Sequence, residues 1–252
     1  AVGKTIGVRN TPWPDHNRMM ASRGIVAAFA VLSVMVFGGT GTAAADTGTS
    51  NGATYTVVTK SVDPGDGWTV DVGQLSGGDQ AVASAFNAAS VASGRTMGGM
   101  LDRDEVIRDD ATFEAKPEVS FRPTAISQVL TGVYFHQGAA HPLDYVTTVV
   151  IDSRSARPIT LDDLFADPQA GLNRLSEQTK LLFPGLTGEP SPMSDRPGNA
   201  PVEENFHNWI PTADGLEIHF EDYQFAHGLP VITVPWSKLT DVLAPDMQVL
   251  AR

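Results

Sequence analysis

No cysteine occurs among the 252 residues, which removes disulfides, thiol nucleophiles and cysteine-ligated zinc together. Basic residues are scarce, with 17 lysines and arginines against 29 aspartates and glutamates. A chain so short of clustered positive charge has little means of releasing counterions from nucleic acid or an anionic bilayer, so neither is expected as a main partner, whereas a basic partner would be attracted. No repeat period is visible, and H-E-x-x-H, calcium-loop, P-loop and dinucleotide fingerprints are all missing. No cofactor and no metal is therefore expected.

What is present begins with an export signal. Met19 or Met20 is followed by Arg23, by an uncharged apolar run from Ile25 to Phe37, and by Ala43-Ala44-Ala45. A positive region, an apolar core and an Ala-x-Ala site are what a secretory signal peptide needs, so residues 19–45 are expected to be cut after Ala45. Gly24 to Ala45 is about long enough to span a bilayer, but its second half is Gly, Thr and Ala. Cleavage without later membrane insertion is the expectation, and the protein would be secreted or held in the cell envelope. Residues 1–18 read as upstream sequence. Cleavage leaves 207 residues with 13 basic and 28 acidic side chains, near −15. That length can bury its own core without disulfides.

Asp46 to Ala53 has the small-residue composition of a linker. Tyr55–Thr59 and Trp68–Val72 read as paired strands around Asp63-Pro64-Gly65-Asp66-Gly67. Asp79 can cap a helix to about Ser93, ended by Gly94 and Gly98-Gly99. Residues 101–117 are charged, with a short strand around 112–114. Ala125–Phe135 and Tyr145–Ile151 are strands rich in β-branched and aromatic residues. Thr160 and Asp163 form a capping-box variant, and a helix follows at about 172–182. Residues 184–201 hold five prolines and read as an irregular loop. Leu216, Ile218 and Phe220 alternate with Glu217, His219 and Glu221, a strand with one wet face entered through a tight turn at Asp214-Gly215. Val231–Val234 adds a strand, and 237–243 a short terminal helix. The expected class is α+β, a mainly antiparallel sheet packed by two or three helices in a single compact mature domain.

Three segments occur in one order: Tyr134-Phe135-His136-Gln137-Gly138-Ala139-Ala140-His141-Pro142, then Arg157-Pro158-Ile159-Thr160-Leu161-Asp162-Asp163-Leu164-Phe165, then Asn205-Phe206 through Trp236. Together they resemble the RsiV-like domain of unknown function that forms the C-terminal part of secreted mycobacterial immunogenic antigens. The likeness runs from Thr124 to Leu243, which divides the mature chain into an N-terminal strand and helix part, 46–123, and an RsiV-like part, 124–252. The family's usual glycine pair before the histidine is here Gly138 with Ala139-Ala140, and the antigens' early cysteine pair is missing. The resemblance implies export and a compact α+β domain. Proteins of this type include antigens, a lysozyme-sensing anti-sigma factor, domains attached to peptidoglycan deacetylases and a cell-wall esterase, so the likeness alone does not choose a function. The anti-sigma role needs a cytoplasmic segment before a membrane span, and about 24 residues precede the apolar run, so that role is not expected.

Candidate chemistry is sparse. Gly48-Thr49-Ser50-Asn51-Gly52 matches G-x-S-x-G, but that nucleophile elbow works on a strained strand-to-helix turn and Ser50 reads as linker. An esterase would need a serine, a histidine and a carboxylate to converge. His141, with Asp144 nearby, is the base to test, and Ser127, Ser153 or Ser155 the nucleophile. His207 and His219 with Glu217 or Glu221 could be imagined as metal ligands, but they also suit a solvated strand face. Phe206, Trp209, Tyr223, Phe225 and Trp236 are dense for a chain with 8% aromatics; core packing is the first explanation, with Trp209 and Tyr223 able to line a groove. The expectation is a non-enzymatic protein binding an envelope glycan, an envelope or host protein, or lysozyme, through His141, Trp209 and Tyr223. Serine esterase activity on envelope acyl esters and lysozyme binding are the alternatives.

Overall fold

The computed structural model describes residues 46–64, 67–104, 106, 109–188 and 192–252; residues 19–45, expected to be a signal peptide, and the segment before them lie outside the described residues. Asn51 and Gly52 both take positive φ, 48° and 74°, the pairing that a two-residue hairpin turn demands. They join β1 (Thr47–Ser50) to β2 (Ala53–Val62) in antiparallel register. The stretch expected to be a linker is thus a strand hairpin, because the Asn-Gly turn outweighs the small-residue composition around it. β2 pairs in turn with β3 (Val70–Gly77).

Asp79 caps α1 (Gln80–Arg103) by accepting from the backbone N–H groups of Ala81 and Val82. The helix does not end near Ser93 but runs through Gly94, Gly98 and Gly99. A Cβ at Gly94 would come within 2.8 Å of Val72 and 2.9 Å of Val62, and one at Gly98 would run into Pro64. Gly94 lets the helix lie close against β2 and β3, and Gly98 lets it lie against Pro64, whereas Gly99 faces open space. Burial of Met97, Met100 and Leu101 in that last stretch offsets a propensity cost of about 1 kcal/mol per glycine.

Four antiparallel strands follow in spatial order: β4 (Ala111–Phe121), β5 (Ala125–His136), β6 (Leu143–Asp152) and β7 (Arg157–Pro158). α2 (Leu161–Leu164) carries both halves of the capping box between Thr160 and Asp163. α3 (Pro168–Leu182) starts at its proline, with Asp167 as cap, and α4 (Pro184–Thr187) is a single turn. β8 (Trp209–Pro211), β9 (Gly215–His219) and β10 (Val231–Pro235) form a third antiparallel sheet with β9 in the centre. Gly215 is not in the left-handed region; a Cβ there would collide with the Val234 carbonyl, so the glycine answers to strand proximity and not to the turn. The terminal helix expected at 237–243 is instead a 3-10 turn at Trp236–Lys238 followed by non-helical turns, with Leu239 and Leu243 buried. Among the described residues, three antiparallel sheets and four α-helices, two of them of four residues, make an α+β fold.

The central sheet is covered on both faces. Ile126, Leu130 and Tyr134 of β5, with Tyr145, Val149 and Ile151 of β6, pack toward α1, β2 and β3. Ala125, Val129, Val146 and Val150 pack the other way, with Leu175 of α3 and Ile218 of β9. Two-sided burial explains why these strands read as nearly continuous apolar runs. The free edge of β3 is finished by side chains. Gly73 N–H donates to Gln128 Oε1 (2.8 Å), Ser90 Oγ donates to the Gly73 carbonyl (2.7 Å), and Asn87 both accepts from Leu75 N–H (2.7 Å) and donates to its carbonyl (2.9 Å). These groups supply the bonds that a neighbouring strand would have made.

Gln128 is fully buried, so Gln128→Ala should leave the Gly73 N–H unsatisfied and a void beside it, costing about 2–3 kcal/mol. Urea unfolding measures this, with exposed Lys116→Ala expected to stay within about 0.5 kcal/mol of the parent.

Candidate functional site

The proposed triad members do not come together. Ser50 is 1% exposed and donates to the Arg122 carbonyl (2.7 Å), with Ser153 Oγ also 2.7 Å away, so both hydroxyls are spent inside the fold. Ser127 is buried on β5 opposite Val150, and Ser155 is exposed in the turn before β7. His141 lies in the turn between β5 and β6, beyond the Tyr134–Leu143 pair. Seven residues of strand separate Ser127 from that pair, or roughly 23 Å, and Ser153 and Ser155 lie past the same far end of the hairpin. The strand register therefore keeps all three serines from the histidine, which corrects the proposed Ser–His pairing.

Trp209 is also corrected. It is 3% exposed within the core, and its backbone N–H donates to Thr148 Oγ1 (3.0 Å); it lines no groove. Phe206 and Trp236 are likewise buried. His219 lies 3.0 Å from Glu217 and His207 3.4 Å from Glu221, two separate pairs that do not merge into one ligand set.

Tyr223 and His141 do meet, although they stand 82 residues apart. His141 Nδ1 lies 2.8 Å from the Pro142 carbonyl, and Nε2 lies 2.8 Å from the Tyr223 hydroxyl. A carbonyl can only accept, so in the neutral ring Nδ1 carries the proton and Nε2 accepts from the tyrosine. The ring of His227 sits 4.3 Å from that of His141 and 5.5 Å from that of Tyr223. Tyr223 is 54% exposed and holds a φ of 63°, which is costly for a bulky side chain and persists only when the surroundings enforce it.

Those surroundings are the loop after β9. Asp222 Oδ1 accepts from Gly228 N–H (2.6 Å) and faces His227 Nδ1 (3.1 Å), while Oδ2 accepts from Asp144 N–H on β6 (3.2 Å). Gln224 Nε2 donates to the carbonyls of Gly198 (2.8 Å) and Asn205 (3.0 Å). One carboxylate thus closes the loop and ties it to β6, and one amide ties it to the segment before β8. Neither Asp222 nor His227 stands out in the sequence, where a charged loop reads as solvated surface; the only signal is their placement on either side of Tyr223.

A cleft of about 350 Å³ opens beside this cluster between the end of α1, the start of β6 and the loop. Asp104, Asp144, Glu221 and Asp222 line it, with Arg103 as the basic side chain and Tyr145 and Tyr223 as aromatic walls. Burial, followed by donation of its hydroxyl to Asp104 Oδ2 (2.8 Å), pushes Tyr145 well above the ordinary tyrosine value, so it serves as a donor and not as a base. At the rim, the hydrogen bond with Glu221 outweighs burial and raises His207, helped by the Glu204 carbonyl, and the same contact lowers Glu221.

The pair fixes a pH dependence. The raised His207 contributes stability that is complete below its ordinary 6.5 and disappears as pH rises through its folded value. The lowered Glu221 contributes above its ordinary 4.5 and fails as pH falls through its folded value. Both groups are about half exposed, so His207→Gln is expected to cost a few tenths to about 1 kcal/mol near pH 5.5 and close to nothing at pH 8.5. Thermal unfolding of the two proteins at both pH values measures the difference.

Comparison with known proteins reaches this chain through its fold. No family model matches it, and no curated protein matches it. Solved structures do, among them a DUF3298 family protein from Pseudomonas aeruginosa PAO1, with a TM-score of 0.53 at 13% identity, covering 76% of this chain and 95% of that one, and a DUF3298 member from Bacteroides fragilis, with a TM-score of 0.51 at 13% identity, covering 78% and 95%. The chain shares the fold of DUF3298 proteins, a family of unknown function.

Proposed function

We propose that this protein is an exported, non-enzymatic binding domain of the RsiV-like type, and that its acidic cleft receives a cationic group of an envelope or host macromolecule. The observation that carries the reading is the cleft itself: four carboxylates against one guanidinium, walled by Tyr145 and by the exposed Tyr223. Such a site attracts positive charge and offers aromatic area for contact. The fold shared with DUF3298 proteins is consistent with the RsiV-like resemblance, and export rests on the signal in residues 19–45. Lysozyme, a basic protein, carries such cationic groups on its surface and is the partner to try first; an envelope glycan bearing free amines is the other. The esterase alternative finds no support in the geometry, since the partners of His141 are Tyr223, His227 and a backbone carbonyl.

The purified protein should bind lysozyme or isolated cell-wall sacculi saturably, more weakly at high salt, and the Asp104→Asn/Glu221→Gln double variant should lose about tenfold in affinity, which is about 1.4 kcal/mol. Binding unaffected by the double variant, or no binding to either target, would overturn the reading. Hydrolysis of nitrophenyl esters that a serine-directed phosphonate blocks would establish the esterase instead.

A further inference from the structure

We propose that Asp144, Asp222 and His227 form a binding site for a first-row divalent cation of the zinc type, which goes beyond the macromolecular binding described above and does not depend on it. One donor atom from each residue lies within 4.8 Å of the other two. Zinc bonds to carboxylate oxygen and imidazole nitrogen are about 2.0–2.2 Å long, so tetrahedral ligand atoms stand roughly 3.4 Å apart, and side-chain rotations of about 1 Å complete the set. One edge has that length already: His227 Nδ1 and Asp222 Oδ1 are 3.1 Å apart. On binding, the neutral imidazole moves its single proton from Nδ1 to Nε2, and the freed lone pair on Nδ1 takes the cation in the place of the shared hydrogen.

Charge points the same way. The Asp222 side chain is only 7% exposed and its neighbour is a second carboxylate. A desolvated carboxylate beside another negative group calls for a counter-charge. Among the described residues neither Asp144 nor Asp222 is paired with a lysine or arginine; what Asp222 has are the backbone N–H groups of Asp144 and Gly228 and the imidazole of His227. Those N–H donors also hold the carboxylate in place, so the site is preorganised by the loop closure itself. Two oxygens and one nitrogen suit zinc or a neighbouring first-row ion better than magnesium or calcium, which favour all-oxygen sets. Three protein ligands leave a coordination position open at the cleft, available to water or to a donor atom of a bound molecule.

Isothermal titration of the purified protein with zinc chloride, in a non-chelating buffer at neutral pH, is the test. One equivalent is expected to bind, and His227→Ala and Asp144→Asn should each weaken it at least tenfold. His136→Ala, which removes an imidazole that bonds the Gln137 carbonyl and belongs to neither the cleft nor the ligand set, should leave it unchanged, and magnesium and calcium should bind at least tenfold more weakly than zinc. Both ligand variants change side chains that are not fully buried, and circular dichroism melting confirms that they fold. Asp222→Asn is avoided because that carboxylate also holds the loop. The proposal is overturned if zinc fails to bind, if folded His227→Ala and Asp144→Asn bind it as the parent does, or if His136→Ala loses as much as they do. The macromolecular test alters Asp104 and Glu221, which are not ligands of the cation, so failure of one reading is distinguishable from failure of the other.

Discussion

The packing of the N-terminal sheet onto the central one depends on how the edge of β3 is satisfied. A strand edge buried against another layer must bond its N–H and carbonyl groups or lose about 1–3 kcal/mol for each. Here the partner is not a strand but a row of side chains: Asn87 and Ser90 from α1 and Gln128 from β5. Gln128 is decisive, because it reaches from the central sheet to the Gly73 backbone and so holds two sheets and a helix in one arrangement. Gly73 is matched to it, since any Cβ there would press on Val119 at 2.7 Å and on Gln128 at 2.9 Å. A polar residue is tolerated in the middle of an apolar strand because it is the bond that fixes where the next layer sits.

The same economy governs the candidate site. Asp222 meets the backbone of β6 with one oxygen and closes its own loop with the other. The left-handed backbone at Tyr223 follows from that closure, and so does the approach of the tyrosine to His141. Elements far apart in sequence, the end of α1, the β5–β6 turn and the loop after β9, are thus brought to one rim. The chemistry there is that of hydrogen-bond donors, carboxylates and imidazoles. Because the register of β5 and β6 sends the serines to the opposite end of the hairpin, the cluster has no hydroxyl nucleophile from the serines weighed as candidates.

Features that depend on near neighbours in sequence were legible. The Asp79 cap, the Thr160–Asp163 capping box, the strands around 125–135 and 145–151, and the alternation from Leu216 to Phe220 all rest on spacings of a few residues, and the α+β class follows from them. Features that depend on tertiary contact were not. α1 continues through three glycines, and β2, β3 and Pro64 approach it at Gly94 and Gly98, which no local pattern reveals. Asn51-Gly52 is itself a hairpin signal, hidden by a surrounding composition that resembles a linker. His141 and Tyr223 each stood out alone, but the bond between them spans the fold, and Trp209 was misplaced because aromatic density does not distinguish core from rim.

The first strand carries a consequence for the order of events on the proposed export route. β1 starts at Thr47, and the Asp46 carbonyl already accepts from Val57 N–H at 2.7 Å. An Ala45–Asp46 scissile bond would therefore lie within one or two residues of hydrogen-bonded sheet. A peptidase needs several extended residues on both sides of its target, which the folded hairpin cannot surrender without separating β1 from β2. If the Ala45–Asp46 bond is the one cut, cleavage has to precede the pairing of β1 with β2, and a molecule that folded first would keep the residues before Asp46.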